Sequence, residues 1–374
     1  MKVLYVSEWY PHRYDAMSGL FVRKHAQAVA FQEVDVCVLY VYPTQNQSFT
    51  GWHEIVDQHT SLVREVYVYY RGSRMSALIA GWKYIKRTWG MPDVTQVNVI
   101  TKNALLPIWL KYKYDIPYVV VEHWTGYLPE NPDYKGFFHT FLTQYVAKNA
   151  HCVMPVSTTL QNAMIGHNIQ ANYQPINNVV DDFFYLTEGH QISDTGKKIL
   201  LHISCFDDGH KNISGILYAT EQLLKQRNDF QIVIVGIGPD FDRIKQLSND
   251  LSIHHVVKFV GEQTPEQVQQ WFQQCEAFVF FSNYETAGVV LSESLACGKP
   301  IISTPVGIAP DIIHSDTGIL VEKNDIESLS NAMAYMLDHA HEYDPLIIRS
   351  YADAYSYEIV GKHLKHAYKQ SLGL

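Results

Sequence analysis

Residues 282–304, SNYETAGVVLSESLACGKPIIST, place two carboxylates, Glu285 and Glu293, eight positions apart. The stretch reads as a strand end, a loop, and a helix that begins near Val289. Between the acids, Thr286, Ala287 and Gly288 are small, so backbone N–H groups at 287–289 can come close to a phosphate. A helix start adds unpaired N–H donors and the positive end of the helix dipole. A carboxylate at Glu293 suits both hydroxyls of a ribose, and one at Glu285 suits the hydroxyls of a sugar ring. The competing reading is an ordinary strand–loop–helix with two solvated acids.

Other candidates follow strand ends. Ser18-Gly19 precedes a helical pattern, and such a turn can present N–H groups to an anion. His123 lies just past the buried run YVVVEH, and His25 sits on the helix after Gly19. The turn VGIGPD places Gly236 and Gly238 after a strand, but the third glycine of a dinucleotide fingerprint is missing. FVGEQTPEQ reads as a turn followed by a capped helix with Pro265 at its first position. No G-x-x-x-x-G-K-[ST] occurs, which excludes a P-loop. Asp207 and Asp208 are adjacent rather than spaced as D-x-D, so no metal is expected.

These residues need strands and helices to hold them. Near-continuous apolar runs at 2–7, 34–42, 97–100, 118–123 and 151–157 alternate with helical patterns at 19–32, 75–89, 101–114 and 136–149. Runs without alternation point to a parallel sheet covered on both faces. The pattern repeats, with strands at 198–205, 230–236, 256–261, 277–282 and 299–304, and helices at 212–226, 240–249, 265–274, 289–297 and 325–338. The fold class is therefore α/β, two doubly wound Rossmann-like domains, with ligands expected beyond the strand C-terminal ends at a cleft between them. The apolar-poor segment 186–197 sets the boundary, giving domains 1–186 and 187–353. Residues 354–374 form an amphipathic helix that either closes the second domain or packs back toward the first.

Composition narrows the function. Of 374 residues, 47% are hydrophobic and 18% charged, which excludes a disordered chain. The net charge of −9 argues against general nucleic-acid binding. Residues 1–185 hold 15 basic and 14 acidic residues, so the acidity lies in the second half and the first is the better match for an anionic partner. Within it, SRMSALIAGWKYIKRTWG (73–90) mixes Trp and aliphatic residues with Arg and Lys. It packs its apolar stripe on the sheet or rests on an anionic membrane surface. Five cysteines, Cys37, Cys152, Cys205, Cys275 and Cys297, are widely spaced with no C-x-x-C pair, as in a reduced cytoplasmic protein. No secretory leader and no membrane span are expected.

The stretch carrying Glu285, Glu293, Ala296, Gly298 and Pro300 resembles the signature of family-4 glycosyltransferases (glycosyl transferases group 1), which have the GT-B fold. The resemblance extends over nearly the whole chain, and is strongest at 200–305. It implies a retaining, metal-independent hexosyltransferase that uses a nucleotide-diphosphate sugar, UDP- or GDP-linked, as co-substrate, with no separate cofactor. It implies a glycan or lipid-linked acceptor, a role in cell-surface polysaccharide synthesis, and a cytoplasmic protein that can touch the inner membrane face. It further implies that Lys211 neutralises the diphosphate, that Gly19, Gly236, Ala287, Gly288, Val289 and Glu293 contact the donor, and that His123 and Glu285 act at the transferred sugar. Asn178 and Asp181 match the connection between the domains. The family's Arg before Lys211 is absent, and Cys205 or Phe206 stands there. Two other readings are a nucleotide-sugar epimerase or phosphorylase of the same build, and a non-catalytic nucleotide-sugar binding protein.

Overall fold

The computed structural model describes residues 1–46, 49, 51–131, 133–185 and 196–374. The chain divides into two units, Met1–Val179 with Tyr355–Leu374, and Val180–Ala354. The division falls at Val179/Val180 rather than at 186/187, and residues 186–195 of the expected linker lie outside the described residues.

The first unit runs β1 (Lys2–Ser7), α1 (Leu20–Ala30), β2 (Asp35–Pro43), β3 (His53–Thr60), β4 (Val63–Tyr70), α2 (Arg74–Thr88), β5 (Val94–Asn98), α3 (Leu105–Tyr114), β6 (Tyr118–Glu122), α4 (Phe137–Asn149), β7 (Val153–Pro155) and α5 (Thr158–Gly166). Among the described residues its strands are ordered β3-β4-β2-β1-β5-β6-β7. All pairs are parallel except β3 with β4, an antiparallel hairpin at the sheet edge. The sequence reading missed this hairpin. β3, HEIVDQHT, carries charged and polar residues on an exposed edge, so no buried run marks it.

The second unit runs β8 (Lys198–Ile203), α6 (Asp208–Lys211), α7 (Ile213–Leu224), β9 (Phe230–Val235), α8 (Phe241–Asp250), β10 (Val257–Gly261), α9 (Pro265–Gln274), β11 (Ala277–Phe280), α10 (Val289–Ala296), β12 (Ile301–Ser303), α11 (Ala309–Ile312), β13 (Gly318–Leu320), α12 (Ile326–His339) and α13 (Pro345–Ala352). Among the described residues its strands are ordered β10-β9-β8-β11-β12-β13, all parallel. Leu200, Ile232, Ile234, Val279 and Ile302 meet Ile216, Leu217, Met333 and Met336 in the core between sheet and helices. The winding reverses between β8 and β11, so the chain after these two adjacent strands continues to helices on opposite faces of the sheet and leaves a crevice at the strand C-terminal ends.

The last helix, α14 (Tyr357–Ser371), belongs to the first unit and packs on α1. Gly361 lets the two helices cross closely, since a Cβ there would lie 2.1 Å from the Ala28 carbonyl oxygen. Tyr368 bonds Tyr5 Oη at 2.8 Å, and Lys365 Nζ donates to the Gln32 carbonyl at 2.6 Å.

Candidate functional site

Lys211 and Glu285 come from the two loops that flank the β8/β11 reversal. α6 is a single turn that is short because its ends are fixed. The Asp207 side chain accepts from the His210 N–H at 3.2 Å, and Asn212 ends the turn in the left-handed conformation. Asn283, on the loop after β11, donates from its backbone N–H to the His210 carbonyl and from Nδ2 to the Gly209 carbonyl, both at 2.9 Å. This clasp brings Lys211 Nζ onto the Glu285 carboxylate in an ion pair. The two side chains are only 12 and 8% exposed. Burial opposes ionisation of Glu285, but the adjacent Lys211 and His210 outweigh it and hold the carboxyl below the usual range.

The loop that carries Glu285 is held from behind. Thr304 Oγ1 donates to the Ser282 carbonyl at 2.6 Å, and the Ile308 N–H donates to the Ala287 carbonyl at 2.9 Å. Gly307, in the left-handed region, lies so close that a Cβ there would be 2.3 Å from that same carbonyl oxygen. Gly288 then opens α10 with φ 75°, and no side chain caps the helix. Its first amide donors are therefore available to a ligand anion, next to the buried Ala287 and half-buried Val289. Glu293 sits in the second turn of this helix, half-buried, and Leu291 and Leu295 anchor the helix in the core.

The turn at 236–240 is laced onto the loop after β8. A Cβ on Gly236 would lie 1.9 Å from the Ser204 carbonyl oxygen. The Phe206 N–H donates to the Ile237 carbonyl at 3.0 Å, and the Asp240 N–H returns to the Phe206 carbonyl at 2.9 Å. Gly236 thus has a packing role that fully accounts for its residue type. Asp208 pairs with Arg243 at 2.8 Å and caps Ser214 N–H, so both members of the Asp207-Asp208 pair are engaged in building the loop. Phe206 is a core side chain packed on Phe241, and Cys205 is exposed. Neither supplies the cation that the family pattern has before Lys211.

The structure adds two residues that the sequence reading missed. The His210 ring stacks on Tyr284 with centroids 4.3 Å apart, and its Nε2 lies 3.3 Å from Glu285 Oε1 without hydrogen-bond geometry. Position next to Lys211 was the only signal for His210. For Tyr284 it was position next to Glu285.

Gly19 and His123 form a separate cluster in the first unit. Gly19 caps α1 in the left-handed conformation, and a Cβ there would lie 2.3 Å from the Trp9 backbone. Phe21, two residues on, packs on the His123 ring at 4.2 Å. His123 is 5% exposed and its Nε2 has no hydrogen-bond partner. Burial keeps its pKa well below the ordinary value, and His25 at 5.7 Å adds to the effect, so the ring is neutral. Glu122 fixes the backbone beneath it by accepting from the His123, Trp124 and Ile100 N–H groups at 2.9 to 3.0 Å. That last bond holds the turn at Val99, whose φ of 65° ends β5 two residues before the expected 100. His25 Nε2 donates to the Asn177 carbonyl at 2.9 Å and the ring is buried, which is a structural role.

Comparison with known proteins bears on the family and the fold. Residues 188–352 match the family model described as glycosyl transferases group 1. N-acetyl-alpha-D-glucosaminyl L-malate synthase of Bacillus anthracis is 33% identical over 172 residues, covering 44% of each chain. A GDP-mannose-dependent monoacylated alpha-(1-6)-phosphatidylinositol monomannoside mannosyltransferase of Corynebacterium glutamicum is 28% identical over 169 residues, 41% of this chain and 42% of that protein. The aligned part thus spans less than half the length of these curated relatives. Sucrose-phosphate synthase of Thermosynechococcus elongatus superposes with a TM-score of 0.78 at 17% identity, over 100% of this chain and 99% of the other. HepE of Anabaena in complex with UDP gives 0.74 at 15% identity, over 99 and 100%. The two parallel-sheet units therefore have the GT-B fold.

Proposed function

We propose that this chain, whose residues 188–352 match the model of glycosyl transferases group 1, belongs to that family and transfers a sugar from a nucleotide-diphosphate donor to a hydroxyl acceptor with retention of configuration. The observation that carries the proposal is the pairing of Lys211 and Glu285 at the β8/β11 reversal, beside the uncapped start of α10. Departure of a nucleoside diphosphate needs charge stabilisation more than a strong base. Lys211 and the amides after Gly288 meet that need. Glu293 takes the ribose hydroxyls and Glu285 those of the transferred sugar, releasing Lys211 to the diphosphate as the donor enters. Gly236 borders the nucleoside side of the loop.

The acceptor oxygen bonds to the anomeric carbon on the face the diphosphate leaves. The anomeric carbon–oxygen bond breaks, and the hydroxyl proton passes to the departing phosphate. No metal is assigned, because Asp207 and Asp208 are engaged in capping and in the Arg243 pair. In the first unit the unpaired Nε2 of His123 supports a role in holding a polar group of the substrate, and Gly19, two residues before the Phe21 that packs on His123, borders the donor. The donor is a UDP- or GDP-sugar, and the name of the GDP-mannose-dependent relative supports the GDP-linked kind. A glycan or lipid-linked acceptor and a cytoplasmic role in cell-surface polysaccharide synthesis complete the reading.

The test is product analysis with isotopically labelled UDP- and GDP-sugars, with and without acceptor glycans. The expected result is acceptor-dependent transfer that keeps the donor's anomeric configuration, and that falls about hundredfold or more in Glu285→Ala. A donor isomerised without acceptor would make the protein an epimerase. Donor binding with no turnover would make it a binding protein.

A further inference from the structure

In the first unit, α2, α3 and α4 lie side by side. Side chains of α2 and α3 line a groove of about 520 Å³ whose walls include Leu78, Ile79, Trp82, Leu106 and Trp109. Tyr112 of α3 and Tyr145 of α4 share a hydrogen bond at 2.7 Å. Together these three helices carry seven Lys and Arg and no Asp or Glu, in a chain with a net charge of −9. Lys83, Lys86 and Lys113 stand on the groove. Lys86 Nζ donates to Tyr114 Oη at 3.2 Å and Lys113 Nζ lies 4.9 Å over the Trp109 ring, so these cations rest on aromatic faces rather than on acids.

α4 adds an unusual ridge. Phe137, Phe138 and Phe141 are 79, 84 and 60% exposed. Phe137 and Phe141 stack at 6.5 Å, and Phe141 stacks on Tyr145 at 6.2 Å, so the rings form a continuous row along one side of the helix. A contiguous row of exposed aromatic rings marks an interaction surface. Leu78, Trp82 and Ile85 of α2 are buried in the sheet core, so the helix does pack as the sequence allowed. The packing leaves Ile79, Lys83 and Lys86 outward.

We propose that this face docks the protein on an anionic phospholipid bilayer. A broad sheet of negative headgroups complements cations spread over three adjacent helices. Exposed Phe and Trp beside them enter the headgroup–acyl boundary, where amphipathic rings are most stable. The inference does not depend on the sugar-transfer reading, and membrane binding is measured without a donor.

The experiment is co-sedimentation of the full chain with vesicles of phosphatidylcholine alone and of phosphatidylcholine mixed with phosphatidylglycerol. Partition onto the mixed vesicles only, weakened by added salt, is expected. Each lysine contributes about fivefold to partition, so Lys83→Gln, Lys86→Gln and Lys113→Gln combined should weaken it roughly a hundredfold. Phe137→Ser, Phe138→Ser and Phe141→Ser combined should remove the part that survives high salt. All six side chains are outward, and an unchanged melting temperature verifies that the variants fold. No partition, equal partition on both vesicles, or undiminished binding of the lysine variant would overturn the proposal. So would a lipid-free dimer that these substitutions dissociate.

Discussion

Lys211 and Glu285 are buried deeply enough that water cannot replace either partner cheaply. Removing one leaves the other charged, with His210 alone facing Glu285 or nothing facing Lys211. Lys211→Met and Glu285→Gln should each cost roughly 1–3 kcal/mol in urea unfolding, and the double variant should cost less than the sum. Strict additivity would mean that the pair contributes nothing to the folded state. Glu285 and Glu293 were legible in the sequence because a small-residue loop and a helix start separated them. Lys211 was legible only through the family pattern. His210 was hidden, since its place beside Glu285 depends on Asn283 clasping α6, a contact between residues more than seventy positions apart.

At the scale of elements, the buried strands were readable wherever both faces are covered, as in β1, β6, β8 and β9, because such strands leave unbroken apolar runs. The β3–β4 hairpin was not readable at its outer strand, where the edge is polar. β12 was read, within the run 299–304, whereas β13 is three residues long, too short for a period to register. The reversal of winding that brings the two key loops together is a property of strand order, and strand order leaves no local trace in a sequence. What the sequence did show was the turn chemistry at the ends of the strands. Gly288 reads as a helix start, and the structure adds the reason for its neighbour Gly307, which clears the Ala287 carbonyl so that the Glu285 loop can close.

At the scale of the whole molecule, the buried histidines His25, His123 and His202 tie stability to pH, and His12 is lowered in the same direction. His25 and His202 are pushed down to about 4 by burial, and His123 is depressed further in the same direction. The folded state holds them neutral, while the unfolded chain protonates them near 6.5. Their contribution is therefore complete above about pH 6.5 and is lost as pH falls toward 4, up to roughly 3 kcal/mol each for His25 and His202. Glu122, whose burial raises its pKa, acts in the opposite sense. The melting temperature should fall steeply between pH 6.5 and 4, and His202→Gln should flatten the slope. A melting temperature constant over that range would contradict these assignments.

Ligand linkage offers the sharpest test of the donor site. A ligand at a hundred times its dissociation constant stabilises the folded state by about 2.7 kcal/mol. Thermal unfolding should be followed with UDP, GDP and their sugars, on the native chain and on Lys211→Ala. The account predicts that one nucleotide series raises the native melting temperature and that the rise is abolished in Lys211→Ala. An equal rise in both proteins would contradict it.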